Sequence, residues 1–149
     1  MNIYEFFSSY TNLPIQIDDV EEQVKSLAPN VTISYFPVDV DPSAFAGFCR
    51  IFKWRPPYAV DDNISAQIIY SSRLDIAWKR LVVCKELLHI LDPEHAQART
   101  REQVSDLIDE LVVPASIAAT AQGRSDQVGL LNALKILLPR DALETLYEM

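Results

Sequence analysis

Residues 81–91 read LVVCKELLHIL, and this stretch predicts the central helix of the fold. Eight of its eleven residues are apolar, and the exceptions are Lys85, Glu86 and His89. At about 100° per residue, Lys85 and His89 lie roughly 40° apart on one face of a helix, with Glu86 beside them. The opposite half carries almost entirely Leu, Ile, Val and Cys side chains. The pattern predicts a helix with one side in the core and the other facing solvent or a cleft.

Strand and helix patterns flank this helix on both sides. Alternating apolar residues and turn-forming residues mark strands early in the chain, whereas spacings of three and four mark helices later. This order predicts an α+β fold, with a small three-stranded sheet packed against helices and the central helix over residues 75–91. The other predicted elements are a short helix within 1–13, a helix over 14–27, strands over 31–35, 45–54 and 64–71, a helix from Thr100 to before Pro114, and helices over 125–138 and 141–147.

Two local features refine these elements. Gly47 lies inside the second predicted strand, where a glycine often marks a β-bulge. The helix over 125–138 carries an apolar series at helical spacing, made of Val128, Leu131, Leu134 and Leu138.

Composition and charge restrict the class of protein. The 149 residues include 49% hydrophobic and 23% charged residues, as expected of a single globular domain over 1–149. The net charge of −8 argues against direct nucleic-acid binding, which depends on clustered Lys and Arg. No apolar run approaches the ~18 residues that a membrane helix needs, and no secretory signal is recognisable, so a cytoplasmic protein is expected. Cys49 and Cys84 lie in apolar surroundings and are expected to be buried free thiols.

The polar face of the central helix has two interpretations. It is either the solvated stripe of an amphipathic helix or the remains of a metal site. Metallopeptidase helices carry H-E-x-x-H, in which two histidines bind zinc and the glutamate activates a water. Here residues 85–89 read Lys-Glu-Leu-Leu-His, which differs from that motif only at its first position.

The wider sequence resembles the ImmA/IrrE metallopeptidase family. Members read approximately R-F-T-L-A-H-E-L-G-H-L-L at this helix, against RLVVCKELLHIL at residues 80–91. A second family signature, E-x-x-A-N-x-F-A-A-E-L-L-M-P, aligns in its later part with VSDLIDELVVP at residues 104–114. The resemblance covers about residues 14–114, and it implies a zincin-like domain.

The resemblance also implies roles for individual residues. Position 85 would be the first zinc ligand, Glu86 the general base and His89 the second ligand. The third ligand would fall at Arg101 or Glu102, of which only Glu102 has a carboxylate. Lys85 replaces the first ligand with an ammonium, which has donors but no lone pair.

The resemblance implies a catalytically silent relative that acts by protein binding, with a partner such as a helix-turn-helix repressor of a phage or mobile element. No cofactor is then expected, and neither nucleic acid nor a membrane is a direct partner. A Lys85–Glu102 ion pair, with His89 hydrogen-bonded nearby, could replace the metal. One alternative is an active zinc peptidase with unusual ligation by His89, Glu102 and a further group such as His95. Another is a structural or assembly subunit, whose polar helix face would be open to water.

Overall fold

A computed structural model describes residues 2–60, 62–93 and 121–147 of the chain. Its elements are helices α1 (Ile3–Ser8) and α2 (Ile17–Leu27), strands β1 (Val31–Val38), β2 (Gly47–Trp54) and β3 (Asn63–Ser71), helix α3 (Ile76–Leu88) with a 3-10 turn at His89–Leu91, and helices α4 (Ala121–Leu137) and α5 (Arg140–Tyr147). The helix predicted from Thr100, the second signature at 104–114, and residues His95, Arg101 and Glu102 lie outside the described ranges.

The three strands form one mixed sheet in the order β1-β3-β2. The central strand β3 pairs parallel to β1 and antiparallel to β2. Side chains of β2 and β3 that share a face, among them Cys49, Ile51, Ala66 and Ile68, are buried in the core together with residues of α1, α2 and α3. The predicted α+β class, with a three-stranded sheet packed by helices, is therefore confirmed for the described residues.

Helix α3 is central, as the sequence predicts. It contacts β2 and β3 on one side, α2 at its flank and α4 on the other side. Its first turn is capped by Asp75, whose side chain accepts a hydrogen bond of 2.9 Å from the Trp78 amide. From Val82 to Leu88 every residue is buried, so the C-terminal half of this helix lies inside the domain, whereas its first turn is exposed.

Gly47 is not at a bulge. The pairing of β2 with β3 runs without an offset from Gly47 opposite Tyr70 to Trp54 opposite Asn63, so the predicted bulge is wrong. The glycine is required instead by close packing against α3. A Cβ atom at position 47 would lie 2.6 Å from Val82 Cγ1 and 3.0 Å from the Ile69 carbonyl oxygen.

Helix α4 packs through Gly129, Ala133 and Ile136 and turns several other large apolar residues outward. Ala133 and Ile136 are fully buried, and Gly129 is buried against α3. The predicted apolar series lies on the other side: Val128, Leu131, Leu134 and Leu138 are 38–61% exposed. None of the described helices combines the length and apolar character required to cross a lipid bilayer.

Substitution of Gly47 by alanine is expected to destabilise the protein by about 1–3 kcal/mol, because the new methyl group overpacks the contact between β2 and α3. Urea unfolding followed by circular dichroism measures the change. Gly129→Ala is the matched control. Its nearest contact would be 3.2 Å, and the higher helix propensity of alanine, up to ~1 kcal/mol, offsets the crowding. Equal stability of Gly47→Ala and the parent protein would contradict the close approach.

Candidate functional site

The polar residues of α3 lie at its C-terminal end, where the helix tightens into the turn His89–Leu91. The chain then leaves the helix at Asp92, whose backbone is extended, as expected of a residue that precedes proline. Lys85 and Glu86 are 7% and 1% exposed, and the side chain of His89 is 13% exposed. The interpretation of this face as a solvated stripe is therefore wrong.

Lys85 and Glu86 form a buried ion pair. Lys85 Nζ lies 2.8 Å from Glu86 Oε1, and the two side chains are 9% and 1% exposed. Neighbouring residues of a helix point about 100° apart, so the contact bends the long lysine side chain back across its own turn. Glu86 Oε1 accepts no well-aligned hydrogen bond from the described residues. The contact is therefore chiefly electrostatic, between opposite charges that are both removed from water.

His89 is oriented by a carboxylate. Its Nδ1 lies 2.7 Å from Asp92 Oδ2, three residues further along the chain. This contact directs the remaining ring atoms, Cε1 and Nε2, towards helix α4. A carboxylate on one ring nitrogen, with the other directed away, is the arrangement that fixes the tautomer of histidine ligands in metal sites.

Helix α4 closes over these residues at Gly129. A Cβ atom there would lie 3.2 Å from His89 Cε1, 3.3 Å from His89 Nε2 and 3.3 Å from Lys85 Cγ. Glycine thus lets the α4 backbone approach the face where the family places its metal. Among the described residues, this face is a helix–helix contact rather than an open cleft.

These residues do not fit zinc. Lys85 stands where the resembled motif has its first ligand, and its ammonium offers no lone pair. The same ammonium lies 2.8 Å from Glu86, so that carboxylate is held as the partner of a cation. Within the described ranges, no three His, Cys, Asp or Glu side chains are grouped to hold a metal ion. The proposed third ligand, Glu102, and its suggested pair with Lys85 lie outside those ranges.

Both cysteines are buried free thiols, as predicted. Burial raises the pKa of Cys84 to about 12, and burial likewise raises the pKa of Cys49, with a further contribution from the charge of Glu86. Neither group has the depressed pKa of a reactive thiol, and both act as apolar core residues.

No protein-family model matches the chain, and neither a curated protein nor a solved structure matches it.

The sequence did not identify two residues that shape this site. Asp92 directly follows the helix predicted over 75–91, and an acid three residues after a histidine in a last turn is a signal for side-chain pairing. Gly129 gave no signal, because its role depends on a helix more than thirty residues away in sequence.

Replacement of Lys85 by methionine is expected to destabilise the protein by about 3–5 kcal/mol, because it leaves the Glu86 carboxylate buried without its cation. The double variant Lys85→Met/Glu86→Gln removes that charge and should recover most of the loss. Urea unfolding of the parent, both single variants and the double variant gives the coupling energy. Additive effects of the two substitutions would contradict a buried ion pair.

Proposed function

We propose that this chain is a catalytically silent relative of the ImmA/IrrE-type zinc metallopeptidases, which acts by protein binding. One observation carries the first half of this proposal: the ammonium of Lys85 is buried 2.8 Å from Glu86, at the ligand position of the resembled motif. In a working site the glutamate would have to accept a proton from a zinc-bound water. Here its neighbour is a fixed cation, and one of the three ligands of a catalytic zinc is lost.

The proposed partner is a protein, of the type of a helix-turn-helix repressor from a phage or mobile element. The family resemblance supports this class of partner. Charge supports it as well, because DNA-binding repressors carry basic faces and this chain has a net charge of −8. The exposed apolar side chains of α4 add surface of the kind that protein partners cover.

The alternative, an active zinc peptidase with unusual ligation, is favoured by the contact between His89 and Asp92, which resembles the support of a metal-bound histidine. It would need His89, Glu102 and a further ligand.

For a structural subunit, the polar face should be open to water. Lys85 and Glu86 do not meet that expectation.

Protein purified without chelators is expected to hold well under one zinc per chain by elemental analysis, and a chelator should leave its melting temperature unchanged. Lys85→His restores H-E-L-L-H and should produce zinc binding in a titration. His89→Ala in that background should abolish the binding, and Glu102→Ala should weaken it. Stoichiometric zinc in the parent protein that is lost on His89→Ala would overturn the silent assignment.

The binding half is tested by mixing the chain with the helix-turn-helix repressor encoded nearest to it. A complex is expected on analytical size exclusion, and mass spectrometry should show the repressor at its intact mass after incubation. Added zinc should change neither result. Cleavage of the repressor would contradict catalytic silence, and absence of a complex would contradict this partner.

A further inference from the structure

A concave site lies on the other side of α3 from Lys85 and His89. It is a crevice of about 400 Å³, and it is lined by Gln16, Ile17, Asp18, Tyr35, Tyr70, Ile76, Lys79, Arg80 and Val83. The crevice lies between the first turn of α2, the exposed side of α3, and the strands β1 and β3, which contribute Tyr35 and Tyr70.

Tyr70 lines the crevice with a hydroxyl group. The residue as a whole is 8% exposed, and its hydroxyl makes no hydrogen bond within residues 2–60, 62–93 and 121–147. A tyrosine hydroxyl is both a donor and an acceptor. It can therefore donate a hydrogen bond to an acceptor that binds in the crevice.

Two cationic side chains converge on the same crevice. The ammonium of Lys79 lies 5.1 Å from the centre of the Tyr70 ring and pairs with no carboxylate in the described part of the chain. Arg80 donates one hydrogen bond to the Ile15 carbonyl oxygen, and a guanidinium has five N–H donors. The Gln16 side chain donates to Pro14 rather than capping α2, so the partial positive charge at that helix end adds to the field.

The remaining lining limits the size and charge of a ligand. Ile17, Ile76 and Val83 form apolar walls, and Asp18 is the one carboxylate among the lining residues. With Lys79 and Arg80 opposed by Asp18, the lining carries a net charge of +1 on a chain of −8. One anionic group can be accommodated, whereas a polyanion would be repelled by Asp18.

We infer that this crevice binds a small monocarboxylate with an aliphatic or aromatic body, its carboxylate accepting hydrogen bonds from Lys79, Arg80 and Tyr70. The same chemistry is offered by a free organic acid and by the C-terminus of a peptide. The site is independent of the zincin-like motif, because Val83 and Lys85 lie roughly 200° apart around α3.

The test uses the full chain and matched probes. 3-Phenylpropionate and its uncharged amide are titrated while ¹H–¹⁵N spectra are recorded. The acid is expected to bind at about millimolar affinity, as suits a ligand of this size, and to shift the amides of β3 and the first turns of α3. The amide should bind at least fivefold more weakly. The dipeptide Ala-Phe, with a free or amidated C-terminus, distinguishes a peptide source from a free acid.

Variants assign the residues. Lys79→Gln and Tyr70→Phe should each weaken binding of the acid about five- to tenfold, since each removes a hydrogen bond to a charged group, and Asp18→Asn should strengthen it. Lys135→Gln, an exposed lysine on α4, is the matched control and should have no effect. Equal binding of acid and amide, shifts elsewhere in the protein, or no binding at tens of millimolar would each overturn the assignment.

Discussion

The ammonium of Lys85 and the carboxylate of Glu86 are buried together on the helix that joins every layer of the domain. Two charges removed from water are tolerated only as a pair, because either one alone would cost several kcal/mol. This constraint keeps the C-terminal end of α3 inside the domain. It also places a cation, rather than a group with a lone pair, beside the Glu86 carboxylate.

Close backbone approach makes this arrangement possible on both sides of α3. Gly47 removes a side chain where β2 meets Val82, and Gly129 does so where α4 meets His89 and Lys85. The C-terminal half of the helix is therefore held between a sheet and a second helix, and the polar residues at that end are enclosed. The N-terminal half is more open: it lines the crevice shared with α2, β1 and β3, and a concavity of about 350 Å³ shared with α4.

The two ends of α3 thus have different characters. At the C-terminal end, charges are paired and covered, as suits a structural role. At the N-terminal end, Lys79 pairs with no carboxylate and the Tyr70 hydroxyl makes no hydrogen bond in the described part of the chain, and both residues line a concavity. Polar groups beside apolar walls are characteristic of ligand sites. The part of this domain best suited to binding a ligand therefore lies away from the resembled motif.

Local periodicity was enough to predict the α+β class, the helices near residues 17–27 and 76–88, and three strands. The apolar surroundings of the two cysteines were enough to predict that both are buried thiols. It could not determine which way the polar residues of α3 face, since periodicity separates two sides of a helix without saying what covers each. Only the folded chain shows that the pair of Lys85 and Glu86 is buried. It likewise shows that Gly47 serves packing rather than a bulge, and that α4 buries Ala133 and Ile136 while exposing Leu131. Burial of the pair, close approach at Gly47 and orientation of α4 all depend on contacts between segments that are distant in sequence.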